Sequence, residues 1–563
     1  MYSRCAIAFA GLLLAPLALS PSGHAVAGEL QNPGFEQAGD KGMPSGWGYY
    51  NWGAKESVGE AGRTTEWAHS GQGSLRAETR DGVARPGAYT RLDLQPGRYE
   101  LRCFARAEEG RQALVRMYLA DRYSPPRAVG DDWTQVAYRH TIRDRRLNAE
   151  INMQAFGGKP GVVWFDDVQL TPLPDAKPQV VPDPRPAADG PRLLYFSGNV
   201  SHVGDTAADW VARGFAGFLY SYLFHDWATN IWAQDGNPDS TGPDDLLLAE
   251  VQQALRTASD AGLDEHVLKV AFYTDLPDPF DDRAYATLLE NFRQGARFAL
   301  ATDMQMLAID TEYVAEQYHY TWEGYDYERY TRGELAAKIR QRWHEVGAVI
   351  AAEAPDMHVG VLPEGMIYYG PLWIELFAGL LEGLQEGQTQ GNVHVLCEGT
   401  YSVREPEEIR EHAASVRELT TAYLTGKARR AWDERGKLAL GAWPLGYYRA
   451  IRDAGGKFLG WSGNKETFGN RIVGSYADKS ARYPAEEFRT QLAAIRTFSD
   501  DYVWIYGHGS SWWQITARQA ETYSQKYQAF PKDNYLVPTA ADVKDYYTVA
   551  SRREIIRFTG EDP

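Results

Sequence analysis

The chain reads as multidomain, with an N-terminal all-β jelly-roll sandwich followed by an α/β (β/α)8 TIM barrel. Three observations lead there. Residues 28–172 alternate short apolar and polar runs between Gly, Pro, Asn and Asp turns, and residues 192–529 alternate strands with amphipathic helices eight times. Between them, residues 173–191 are rich in Pro and Asp and lack apolar periodicity, as a semi-rigid linker does.

The first element is a targeting segment, residues 1–27. Arg4 supplies a positive start, CAIAFAGLLLAPLALS an apolar core, and Ala25-Val26-Ala27 a small-residue cleavage pattern. The expected product is secreted or periplasmic, cut near Ala27. Nothing later approaches the roughly 18 apolar residues of a membrane span, so no membrane insertion is expected. Cleavage leaves Cys103 and Cys397, one on a core strand of each domain, and two buried free thiols are expected. The formal charge of -17 argues against nucleic acid and anionic membranes, and disfavours polyanionic substrates. The 17 Trp and 34 Tyr suit a glycan partner, because aromatic faces stack on sugar CH faces while their edges hydrogen-bond hydroxyls.

In the sandwich, runs such as GAYTRLDLQPGRYELRCFARAE, QALVRMYLA and GVVWFDDVQLTPL are strands. Asn32-Pro33-Gly34-Phe35-Glu36, Gly46-Trp47, Ser70-Gly71-Gln72-Gly73-Ser74-Leu75, Leu94-Gln95-Pro96-Gly97-Arg98-Tyr99 and the closing Val163-Trp164-Phe165-Asp166-Asp167-Val168-Gln169-Leu170 occur in order along it. Together they resemble the carbohydrate-binding-module family 4/9 jelly roll. The resemblance implies a glycan-binding fold and a structural calcium with Glu36 and Asp166 as oxygen ligands; a hydrogen-bonded turn is the alternative at those two residues.

The barrel strands are expected at 192–198, 214–223, 266–275, 304–310, 357–365, 392–399, 437–444 and 502–509. The stretches between them carry apolar residues at three- and four-residue steps, for example DDLLLAEVQQALRTASDAG and PEEIREHAASVRELTTAYL. No GxGxxG or Walker pattern follows any strand, so nucleotide chemistry is not expected. Residues 449–482 are too long for a simple connection and are expected to cap part of a cleft, and residues 530–563 to pack on the barrel as a C-terminal extension.

The fourth strand, in MQMLAIDTEYV, ends in two acids. Met304, Met306, Ala308, Asp310 and Glu312 share one face by the period of two, so both carboxyls point inward at the carboxyl end of the barrel, where such folds assemble active sites. The other strand ends converge on the same rim with Tyr222 and His225, Asp275, Tyr313, Glu364, Glu398 and Tyr401, Trp443, Tyr506 and His508, Trp512 and Trp513. Glycosidic cleavage suits this set, since it needs a proton for the departing oxygen and a carboxylate facing an oxocarbenium-like centre. Metal hydrolysis does not, because the His-x-His of a barrel amidohydrolase is absent. Lys269 is the one inward lysine noted for Schiff-base chemistry, with no obvious partner, and no nucleophile elbow is present. No cofactor is expected for catalysis.

The barrel resembles glycoside hydrolases without matching one family. Glu312 ends strand four where the large retaining clan keeps its acid, but the seventh strand, GAWPLGYY, carries no acid. The closing YVWIYGHGSSWW is similar to that clan's eighth strand, and Asp310-Thr311-Glu312 to the end of the chitinase-type DxxDxDxE motif. Glu312 is expected as general acid/base, partnered by Glu398, with Asp310 and Glu364 as competitors. Tyr222, Asp275, Tyr313 and Tyr506 are expected to contact substrate, His225, Tyr401 and His508 to orient hydroxyls or nucleophile, and Trp443, Trp512 and Trp513 to form sugar platforms. The expected partner is a poly- or oligosaccharide. A non-catalytic carbohydrate-binding barrel and a glycan transglycosylase or lyase remain as alternatives.

Overall fold

In the computed structural model, the described residues run from 29 to 558, less 226–244, 313–324, 462–484, 507–539 and several shorter stretches, among them 197–199, 273–275, 445–449 and 453–457. The targeting segment and the residues Asp275, Tyr313, His508, Trp512 and Trp513 therefore lie outside them, as does most of the expected 449–482 cap. For Tyr222 and His225 only the backbone, within a strand, is described.

The N-terminal part is a sandwich of two antiparallel sheets. One is ordered Gly48–Trp52, Arg85–Leu94, Arg146–Phe156, Ala113–Ala120, with two short edge pieces; the other Gly59–Thr64, Ser74–Thr79, Gly161–Leu173, Gly97–Ala107, Thr134–Ile142. Alternation decides which side chains enter the core: Ile151, Met153 and Ala155 of one strand face Leu75, Leu101 and Phe165 of the other sheet's strands in a single cluster. Cys103 belongs to that cluster, and Cys397 to the core between barrel and helices; both thiols are free and buried. Glu36 and Asp166, where the resemblance would put calcium, accept backbone amides. Glu36 accepts from the N–H of Gln72 (3.0 Å) and Gly73 (3.3 Å), and Asp166 from those of His69 (2.8 Å), Ser70 (3.1 Å) and Asp167 (2.8 Å). That donor set makes the hydrogen-bonded turn, the alternative expected at these two residues.

Eight parallel strands then close into a barrel: β1 Arg192–Phe196, β2 Phe215–His225, β3 Val267–Ala271, β4 Met306–Asp310, β5 His358–Leu362, β6 Val393–Cys397, β7 Gly436–Ala442 and β8 Tyr502–Tyr506. β8 pairs with both β1 and β7, which completes the ring. Inward residues, such as Leu194, Met306, Ala308, Leu396 and Trp504, form one cluster, while their neighbours Leu307, Ile309, Val395 and Val503 face the helices in another. The helices start where the sequence gives caps. Asp281 accepts from the N–H of Arg283 and Ala284 at the head of Asp282–Ala301, and Thr331 with Glu334 forms a capping box for Arg332–Glu353.

Helix Pro371–Glu386 lies unusually close to Arg332–Glu353 because small residues meet at the crossing. A Cβ on Gly379 would fall 2.2 Å from the Arg340 carbonyl oxygen, and one on Gly383 2.1 Å from that of His344. Trp373 of the same helix donates its indole N–H to Thr311 Oγ1 (3.0 Å), and Thr311 donates its own N–H to the Leu362 carbonyl (2.6 Å). The end of β4 is thus pinned from outside.

The expected linker is partly a strand. Gln179–Pro182 pairs antiparallel with Glu554–Arg557, which follows helix Ala540–Ala550, so the C-terminal extension ties back to the segment between sandwich and barrel. Pro and Asp hid this strand, because Pro is tolerated on an edge where its missing N–H faces away from the ladder.

Candidate active site

The site grows from the carboxyl end of β4. Asp310 points inward, as Met306 and Ala308 do, and is almost fully buried. Its Oδ2 lies 2.6 Å from Lys269 Nζ, which comes from the inward face of β3. Lys269 therefore has a partner after all. Adjacent parallel strands bring an inward residue of one diagonally beneath an inward residue of the next, which single-strand reading does not show. The other oxygen, Oδ1, accepts the N–H of Glu312 (3.0 Å), so Asp310 fixes the turn that presents Glu312.

Glu312 is reached by solvent, yet protein crowds around its carboxyl. That loss of hydration, and then the Asp310 charge, push it up to about 7, against the pull of Lys269. Glu398 follows β6 and is half-buried. Burial raises it well above the carboxylate range, and the charges of Glu312, Asp310 and Glu364 raise it further, with Lys269 opposing. Glu312 and Glu398 thus share Asp310 and Lys269 as charged neighbours.

Glu364 is a different kind of residue. It is wholly buried, with Oε2 accepting the Glu398 N–H (2.8 Å) and Oε1 the Gly399 N–H (2.8 Å), and with His412 Nε2 at 2.7 Å from Oε1. The expectation that it competes for the role of second carboxyl fails because it is not presented to the cleft. Asp310, the other competitor, is likewise committed to Lys269 and to the Glu312 N–H.

Beside the pair lies an aromatic group. Tyr401 donates its hydroxyl to Glu398 Oε1 (3.3 Å) and stacks on Tyr506 at 5.4 Å, and Trp443 meets both edge-on, at 5.7 and 4.8 Å. Trp443 stands directly after β7 and is only 7% exposed, so it packs in the barrel interior more than it offers an open face. No acid occurs at that strand end in the described residues. The roles of Lys269 and His412 escaped the sequence reading; an inward lysine two positions before a strand end was the available signal for the first, and nothing local marked the second.

Neither a family model nor a curated protein matches the chain. Among solved structures, the CBM22-1 and GH10 modules of the Clostridium thermocellum endo-1,4-beta-D-xylanase 10B, complexed with xylohexaose, are similar at 12% identity and a TM-score of 0.32 over 90% of this chain and 94% of that one. The CBM22-1 xylan-binding domain of Paenibacillus barcinonensis Xyn10C is similar at 14% identity and a TM-score of 0.20 over 25% of this chain and 93% of that one. A structure titled for CBM4 structure and function aligns at 15% identity with a TM-score of 0.20, over 26% of this chain. Likenesses of this size carry no inference about substrate.

Proposed function

We propose that the protein is a secreted or periplasmic glycoside hydrolase built on a (β/α)8 barrel, cleaving O-glycosidic bonds of a poly- or oligosaccharide by carboxylate acid/base catalysis. The observation that carries this reading is that Glu312 and Glu398 stand at the carboxyl end of a closed parallel barrel, both raised by burial, Glu312 further by the Asp310 charge and Glu398 further by that of Glu312. Such a pair holds one proton and one negative charge between its two titration steps. Glycosidic cleavage uses both: the protonated carboxyl serves the departing oxygen, and the ionised one faces the developing positive charge or activates water. Lys269 and Asp310 beneath the pair set the local field, and Tyr401 holds Glu398 by its hydroxyl. The N-terminal sandwich would bind glycan beside this cleft.

One observation favours a second reading, a carbohydrate-binding barrel without turnover: Trp443 stands after β7, where the retaining clan that the sequence resembles keeps an acid. The test is to incubate the purified mature chain with a panel of neutral, amino and acidic polysaccharides and measure new reducing ends, product size and ultraviolet-absorbing unsaturated ends. Reducing ends without unsaturation support hydrolysis. Binding without release on every glycan replaces the proposal with the non-catalytic reading, and unsaturated ends replace it with a lyase.

A further inference from the structure

The proton chemistry leaves one buried cluster unused. Glu364, after β5, offers no atom to solvent, and its two oxygens take the consecutive amide N–H groups of Glu398 and Gly399. His412 Nε2 closes on Oε1 from the helix Pro406–Tyr423, whose inward face also carries Ile409, Ala413 and Val416 into the core. Cys397 Sγ lies within 4.8 Å of these groups, but with each Glu364 oxygen engaged by an amide the cluster is a hydrogen-bonded clamp on the backbone.

The same helix is held from its other side by the sandwich. Glu408 meets Arg122 (3.0 Å) and His140 Nδ1 (2.7 Å), Glu418 meets Arg127 (2.9 Å) and the Ala128 N–H (2.8 Å), and the Ser415 hydroxyl donates to the Pro126 carbonyl (2.7 Å). The helix that carries His412 is therefore fixed between two bodies, and His412 fixes Glu364.

We propose that Glu364 and His412 are positioning residues for Glu398: they lock the backbone that carries its carboxyl. This rests on the reading of Glu398 as a member of the catalytic pair. Preorganisation of that kind matters because a displacement of about 1 Å at a reacting group costs on the order of 100-fold in rate. The groups facing Glu398 are Glu312 and Asp310 from β4, Lys269 from β3, Glu364 from β5 and the Tyr401 hydroxyl. Glu364 takes the Glu398 backbone N–H, and the Tyr401 N–H donates to the Glu398 carbonyl (2.9 Å).

The experiment uses the full chain with His412→Ala, His412→Gln and Glu364→Gln. The carboxyl of Glu398 is followed by carbon-13 NMR titration, its signal assigned by its loss in Glu398→Gln, alongside kcat and KM across pH. Glu364→Gln removes a neighbouring negative charge, so the Glu398 midpoint is expected to fall. His412→Ala is expected to move that midpoint and to lower kcat on the order of 10- to 100-fold with KM little changed. His412→Gln, which keeps an N–H toward Glu364, is expected to restore most of both. A Glu398 titration and kcat unchanged in folded His412→Ala would overturn the proposal, even if Glu364→Gln does not fold. Absence of turnover in the unsubstituted chain would overturn the hydrolase reading separately, since the NMR titration decides the clamp without activity.

Discussion

Asp310 shows how one side chain sets the properties of its neighbours. It binds Lys269 with one oxygen and the Glu312 N–H with the other, and its charge helps to keep Glu312 protonated to about pH 7. Replacing Lys269 with Met would strand a buried carboxylate, with a cost of about 3–5 kcal/mol expected in urea unfolding. The same change removes a cation opposing the raised Glu312, so the basic limb of a pH–rate profile should move upward. The sign for stability runs the other way from an ordinary paired acid. Glu312 and Glu398 hold protons more tightly folded than unfolded, so the folded state is favoured below the usual carboxylate range and loses ground as pH rises toward 7 and beyond. Glu312→Gln should therefore raise the melting temperature at pH 8 and leave it nearly unchanged at pH 4. At this scale the sequence was informative about which residues are inward, because alternation along MQMLAID is unambiguous. It was silent on partners, since the Lys269–Asp310 and Glu364–His412 contacts join residues far apart in the chain.

Among the elements, the eight barrel strands were legible, each an apolar run ended by turn or charged residues, and each begins within two residues of its expected start. Apolar strands buried on both faces leave such a trace. The strand Gln179–Pro182 was not legible, because its partner among the described residues, Glu554–Arg557, is more than 350 residues away and a two-stranded ladder needs no apolar face. Helix Pro371–Glu386 owes its place to bare backbone at Gly379 and Gly383. Gly383→Ala would drive a methyl toward the His344 carbonyl, and a loss of about 1–3 kcal/mol is expected in thermal or urea denaturation. Because Trp373 of that helix pins Thr311, this change should also lower activity more than an equally destabilising change in the sandwich core.

Across the molecule, the described ion pairs between sandwich and barrel fall on the helix Pro406–Tyr423. Glu408 takes both Arg122 and His140, and each is substantially covered in the junction. Glu408→Ala would leave those two groups facing an empty place, at a cost of about 3 kcal/mol, the lower end for breaking a buried pair. Calorimetry is then expected to resolve the sandwich melting before the barrel in Glu408→Ala, against a narrower separation in the parent chain. The division into two bodies could be read from periodicity, which changes from two to 3.6 near residue 192. Their mutual fixation could not, since charged residues on a helix surface look alike whether they meet water or a neighbouring domain.

The central claim is that Glu312 and Glu398 form one proton-sharing pair that cleaves glycosidic bonds. Its most direct test is the release of reducing ends by the parent chain, by Glu312→Gln and by Glu398→Gln on the polysaccharide that the parent cleaves, with glycan affinity measured on the same samples. The pair predicts that both substitutions abolish release while glycan affinity and the folded state persist. Release undiminished in either variant would contradict it.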